Sequence, residues 1–508
     1  MRRIAVCAAR RVPVRPAPMA AAVLAAVAAG ATPALAQQAG GFTFERSIDL
    51  QQTFTDNGQL SERDRQAESI TRVSPGVRVS GRSGRVQGSL DYRLDLVQYA
   101  RDSGRSTTHN QLAAEGAAEL VPEHVFLDAN ASISQQAISA FGKQSSGTGI
   151  ENSNSSEVAM VAVSPTAKAR LAGVFDVSAN AAWSTTRAKD SSAGDRTEWD
   201  AGVSIGATHG IFGWAVSGSR QSSGYSAGGD DSTTENVSAS VSAALTPRLQ
   251  VFATHGEERS DLLGNGTQSS STNGWGLNWQ PSVRTQFSAQ SDRHFYGNSH
   301  SLSLTHRFRR SMLSYTDSRG VGGQDNQLLG ELRNTYGQLF SGCMATVGDA
   351  AWCQSVVRQL LGFDATTPLG FLNSAPSLQR TQTLVFALNG LRNNFSIAAS
   401  HNETSRLGDQ TYTGGDLAIV PRVRQYGLTM NLTHKLSRQM SLGVTAAAMK
   451  TLDEDTQPGN EQRRVELSLS NEFGARTSGT LALRHVRFDS ETSPYRESAL
   501  IGSLNYRF

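Results

Sequence analysis

His294, His300 and His306 fall in one polar stretch that also holds Asp292 and Ser299. A hydroxyl, an imidazole and a carboxylate are the parts of a hydrolytic proton relay, in which the ring takes the hydroxyl proton and the carboxylate orients the ring. Histidines in polar connections are ordinarily solvated surface groups, so these residue types alone assign no catalytic residue. Gly320-Val321-Gly322-Gly323 has the outline of a phosphate-cradling loop, but Asp325 stands where the third glycine belongs and no βαβ pattern surrounds it. Cys343 and Cys353 are the cysteines outside the leader region. In an oxidising compartment they are expected to pair and close a short loop. No histidine lies near them and their spacing fits no zinc pattern, so neither a metal nor a cofactor is expected.

A second kind of chemistry is spread along the chain. Asp91, Arg93, Asp95, Asp176, Asn180, Asn431, Arg464 and Glu466 each alternate with apolar or small residues. Hydroxyls, amides and charges of both signs suit a sugar, which needs many hydrogen bonds and no strong field, and they serve equally to solvate an interior. These residues are expected to line a water-filled lumen.

What must position them is a set of two-faced strands. In Val86–Leu96 the even positions are Val, Gly, Leu, Tyr, Leu and Leu, while Gln87, Ser89, Asp91, Arg93 and Asp95 fill the odd ones. The same two-residue rhythm recurs through Leu171–Trp183, Trp199–Ala207, Val237–Leu245, Tyr426–Leu432, Met440–Ala446 and Val465–Leu469. At the end, Leu500, Gly502, Leu504, Tyr506 and Phe508 alternate with Ser503, Asn505 and Arg507. Strands of about 10 residues cross a bilayer at a tilt, and a half-apolar strand is invisible to averaged hydropathy. The expected fold is all-β: a transmembrane antiparallel up-and-down barrel of about 20–22 strands. Gly81-Arg82-Ser83-Gly84, Ser164-Pro165-Thr166, His209-Gly210, Thr246-Pro247-Arg248 and Gln280-Pro281-Ser282 read as tight turns. Gly142–Ser156, Lys189–Arg196, Ser222–Thr234 and Leu452–Gln462 read as long polar loops. Trp183, Trp199, Trp214, Trp275, Trp279, Tyr426 and Tyr506 fit the aromatic girdles of such a barrel.

Composition sets the boundaries. The chain has 508 residues, 38% hydrophobic and 7% aromatic, which together with the lack of a second long apolar run excludes a helical membrane protein. A net charge of +3 with scattered basic residues gives nucleic-acid binding no support. Residues 1–36 read as an export signal: five arginines in the first fifteen positions, the apolar run Met19–Gly30, and Ala34-Leu35-Ala36 for cleavage. The barrel is then residues 37–508. A TonB-dependent transporter would carry a plug domain ahead of its barrel, and alternation already under way near Phe42 sets that class aside. Residues 328–372 break the rhythm: Trp352, Val356, Val357, Leu360 and Leu361 recur at helical spacing, so one short helical insertion is expected there, as a plug, constriction or lid.

The mature chain resembles the outer-membrane proteins associated with PEP-CTERM protein-sorting systems. The matching residues are Thr53-Phe54-Thr55-Asp56-Asn57, Ser74-Pro75-Gly76, Leu90-Asp91-Tyr92, Glu119-Leu120-Val121-Pro122, Phe126-Leu127-Asp128-Ala129, Ile133-Ser134-Gln135-Gln136, Asn389-Gly390-Leu391-Arg392-Asn393 and Tyr506-Arg507-Phe508. The resemblance implies a setting among exosortase and exopolysaccharide genes and supplies no catalytic residue. The ending also resembles the terminal strand by which outer-membrane barrels are recognised for assembly, with Leu504, Tyr506 and Phe508 as the signal. The expected location is thus the bacterial outer membrane, and the expected partners are its lipid, the barrel-assembly machinery, exopolysaccharide and periplasmic export proteins. The expected activity is non-enzymatic: a passive channel or scaffold in exopolysaccharide secretion. The alternatives are a closed barrel that anchors polymer or a periplasmic partner, and a general diffusion porin.

Overall fold

The computed structural model describes residues 41–508 except 146–149, 151, 190, 192–194, 226–230, 265, 323–369, 374–375, 409–413 and 455–456. The expected leader, Cys343, Cys353 and all but the last three residues of the expected helical insertion lie outside the described residues. The strands are β1 Phe42–Thr55, β2 Glu68–Ser83, β3 Val86–Tyr99, β4 Thr107–Val121, β5 Val125–Ala137, β6 Ser155–Leu171, β7 Phe175–Ala188 and β8 Arg196–His209. There follow β9 Phe212–Tyr225, β10 Ser232–Thr246, β11 Leu249–Ser260, β12 Gln268–Ser282, β13 Thr285–His294, β14 Gly297–Arg307 and β15 Ser311–Gly322. The last are β16 Ser377–Asn389, β17 Asn393–Arg406, β18 Arg422–Lys435, β19 Met440–Thr451, β20 Asn460–Glu472, β21 Thr477–Ser490 and β22 Tyr495–Arg507. Helix among the described residues is confined to a 3-10 turn at Ser103–Arg105 and one turn, α1, at Asp416–Ile419.

Each strand pairs antiparallel with its neighbours in sequence, and β22 closes on β1 through a register running from Ser47 opposite Arg507 to Thr55 opposite Ala499. The protein is a closed 22-strand barrel, the even count that single-chain bacterial outer-membrane barrels show. Closure leaves no unpaired strand edge facing lipid, which a membrane would not tolerate.

The two-residue rhythm decides the faces. Val237, Val241, Trp199, Val465, Leu467, Leu483 and Leu504 are among the large apolar side chains left exposed, and strand parity puts them all on the outside. Val237 and Val241 are 61% and 63% exposed, a state that makes sense only in contact with lipid. Trp199, Trp214, Trp275, Trp279, Tyr426 and Tyr506 are exposed on the same side, as an aromatic girdle requires. The protein is therefore an outer-membrane barrel.

At one end the connections are two to four residues long, from 84–85 to 473–476. Gly84 and Gly210 take φ of +55° and +62° in two of the four two-residue connections, a region closed to most side chains. The longer connections gather at the other end, which is the outer one.

The expected turn at Ser164-Pro165-Thr166 is a correction: it lies inside β6. The ladder to β7 pairs Val163 with Trp183 and resumes at Thr166 with Asn180, skipping Pro165, which has no N–H to give. Ser74-Pro75-Gly76 is likewise inside β2, where the ladder to β3 skips from Val73 to Gly76. Proline marked an interruption in pairing at these sites, not a change of direction.

Candidate functional site

The inward face is the surface that can meet a solute, and it is built from two unlike walls. One runs across β20, β21, β22, β1, β2 and β3. On it Arg484 donates to Glu497 Oε1 at 2.9 Å, and Thr55 Oγ1 donates to the same oxygen at 3.0 Å. Arg72 donates to Gln51 at 2.6 Å and lies 3.5 Å from Asp49 and 4.0 Å from Asp95. Arg78 pairs with Asp91 at 2.6 Å, and Arg464 with Glu466 at 2.7 Å. Glu497 is fully buried and Arg484 nearly so, hence this pair holds only because each partner compensates the other.

The other wall is centred on β9 and β10. Its inward positions are Ala215, Ser217, Ser219, Gln221 and Ser223 on β9, and Thr234, Asn236, Ser238, Ser240 and Ser242 on β10, with no charge among them. Ser217 and Ser238 face each other with oxygens 3.0 Å apart, and Thr234 reaches Ser260 of β11 at 2.8 Å. Strands eleven places apart stand opposite each other in a 22-strand barrel, so β9–β11 face β20–β22.

The outer mouth carries a core of its own. The connection 138–154 leaves β5 and returns to β6, and the partners of its described residues include inward side chains of distant strands. Ala140 O accepts from Thr451 Oγ1 at 3.1 Å and from Asn460 Nδ2 at 2.9 Å. Gln144 O accepts from Gln462 Nε2 at 3.2 Å and from the Tyr495 hydroxyl. Lys143 donates to Leu60 O at 2.9 Å. Asp416, in α1, accepts from Ser139 Oγ at 2.6 Å and from the Ala140 N–H at 2.7 Å. Burial pushes the Asp416 carboxyl above its ordinary range, and the two hydrogen bonds only partly offset this. Ala140 and Phe141 pack with Leu417, Val420 and Val423. Beside them Leu60 and Ile150 cover the inward residues Ile70, Val97, Tyr99, Val486, Phe488 and Tyr495. The loop thus folds into the mouth, where apolar inward residues receive it.

Parity puts all eight expected lumen residues on the inward face. Asp91, Asp95, Arg464 and Glu466 belong to the ion-paired wall, with Asp95 accepting from Gln111 at 2.8 Å. Arg93 shares their face on β3. Asn431 accepts from Thr445 at 3.0 Å, Asn180 donates to Asp200 at 3.2 Å, and Asp176 lies 3.5 Å from Arg170 near the periplasmic end.

The histidine cluster separates. His294 points inward, 3.0 Å from Glu258, whereas His300 points outward, 3.1 Å from Asp317. His306 lies 2.8 Å from Thr285, and Asp292 accepts from Gln290 at 2.8 Å. The wall of the barrel runs between His294 and His300, so the sequence neighbours do not form one site.

The alternation of Ser and Thr with Val and Ala in β9 and β10 was the signal for the uncharged wall. Nothing in residues 138–154 signalled an inward fold, because its partners Leu60, Asp416, Thr451, Asn460, Gln462 and Tyr495 lie far away along the chain.

No family model matches the chain, and no curated protein matches it. Solved barrels resemble it in outline. A mutant of the ferric enterobactin receptor PfeA from Pseudomonas aeruginosa is 10% identical over 92% of this chain and 80% of its own, with a TM-score of 0.46. The FrpB iron transporter of Neisseria meningitidis is 11% identical over 91% and 81%, also at 0.46. A loop-deleted OmpT of Vibrio cholerae is 9% identical over 92% and 99%, at 0.31. These likenesses are no guide to cargo.

Proposed function

We propose that this barrel is a passive outer-membrane channel or scaffold serving exopolysaccharide secretion within a PEP-CTERM/exosortase system. The observation that carries this reading is the uncharged hydroxyl and amide wall of β9 and β10. A neutral polymer needs hydrogen bonds that form and break with little cost, and hydroxyls supply them without the strong field of a single-sign charged lining. The ion-paired wall opposite is neutralised within itself, so it adds no strong field of one sign. The transport is non-enzymatic on this reading: the wall residues bind and release, and no bond is made or broken. Exopolysaccharide and periplasmic export proteins are its proposed partners, and the barrel-assembly machinery reads Leu504, Tyr506 and Phe508.

A second reading, a closed anchoring barrel, draws on the loop folded into the mouth. Planar-bilayer recordings separate the two, using the full chain and a variant with 138–154 shortened. A channel conducts, and conducts more when shortened; silence in both forms, together with unchanged surface polysaccharide on gene deletion, sinks the channel.

A further inference from the structure

Just above the lipid-facing band, two outward rows of charge on opposite sides of the barrel are built differently. On β9–β11 the outward row reads Arg220, Glu235, Arg259, each directly opposite the next, with Arg220 Nη1 3.4 Å from Glu235. On the facing side, β20–β22, the row reads Arg463, Arg487, Arg496, again each directly opposite the next. Directly opposed residues on one face stand about 5 Å apart at Cβ, and like charges there repel. Three arginines in file attract anions, and the two carboxylates beside them leave that demand partly unmet.

The structure leaves room for one. Arg463 donates through Nε to Glu461 at 2.6 Å, and Arg487 through Nε to Asp489 at 2.8 Å. Both acids sit one same-face step farther from the membrane. The terminal nitrogens of both guanidinium groups have no partner among the described residues, and neither has the Arg496 side chain. The Arg463 and Arg487 side chains are 61% and 46% exposed.

Height fixes what the anion is. One same-face step toward the membrane come Val465, His485 and Ser498; the next brings Leu467, Leu483 and Leu500, all exposed to lipid. Two steps are about 13 Å along the strand and about 9 Å along the membrane normal at a tilt near 45°. The polar layer beyond the hydrocarbon is about 5–7 Å thick on each side, so flexible arginine side chains meet it. We propose that Arg463, Arg487 and Arg496 form a binding site for the phosphate of an anionic outer-leaflet glycolipid. Arginine suits it because its planar fork binds phosphate through two nitrogens at once.

The test uses the full chain in detergent micelles, titrated with an acylated glucosamine disaccharide bearing two phosphates, with the same glycolipid after dephosphorylation, and with inorganic phosphate alone. Folding of each variant is checked by heat-modifiable gel mobility. The wild type and an R220Q/R259Q control should prefer the phosphorylated glycolipid by about tenfold or more, and R463Q/R487Q/R496Q should lose that preference. Should the triple variant fail to fold, Arg487→Gln alone, at the centre of the row, must weaken binding by at least about threefold. Undiminished preference in the variants overturns the site. Inorganic phosphate binding as tightly as the glycolipid overturns the lipid and leaves a free-anion site.

Discussion

The wall of β20–β3 and the wall of β9–β10 share one strand geometry and differ in what occupies the inward positions. On the first, Arg484, Glu497, Arg72, Asp49, Arg78 and Asp91 hold one another in fixed pairs. On the second, Ser217, Ser238 and Ser240 form weak, exchangeable hydrogen bonds. The first wall is rigid and costly to alter; the second is tolerant and free to bond with something passing. A sheet can thus keep its outside constant while its inside divides into a structural half and a permissive half.

The comparison can be broken where it is strongest. Glu497→Ala leaves Arg484 charged and buried, and should destabilise the barrel by about 3–5 kcal/mol in urea unfolding followed by tryptophan fluorescence. A loss below that of a single exposed pair would mean that the ionic wall is no more structural than the other. Val241→Arg, on the lipid side of the permissive wall, should cost about 2–4 kcal/mol in the same assay, because the outside stays apolar whatever lies behind it.

Asp416→Ala removes two hydrogen bonds from the loop in the mouth and should cost about 1–3 kcal/mol of local stability, read as faster proteolysis of 138–154. Its pH dependence follows from the raised carboxyl: the folded state holds the proton more tightly than the unfolded one. Stability is full below the ordinary carboxylate range near 3.8 and is lost as pH rises through the raised value. Loop protection should therefore be greatest in acid, and the variant should flatten the profile. The mildest change is Ser238→Ala, expected within about 1 kcal/mol of wild type. A larger loss would show that the permissive wall is structural too.

Much of the fold could be read from the chain because the rhythm of Val86–Leu96 or Val237–Leu245 is local, and alternation reports a face directly. The inward placement of Asp91, Arg464 and Asn431 follows from the same arithmetic. Pro165 misled because a proline signals a missing donor, and in a long strand that gap is absorbed by skipped pairs. His294 and His300 are neighbours in sequence but not in space, because their connection is only Phe295 and Tyr296 and six positions carry one residue inside and the other outside. The partners of Ala140 and Gln144 were hidden altogether, since they depend on which distant strands the closed barrel brings to one mouth.

The pairing of β1 with β22 has a consequence for biogenesis. The contact that completes the cylinder joins the two strands farthest apart along the chain, so it forms last and slowly. Until then, two raw edges and a long run of oily side chains lie open to water, where they invite aggregation.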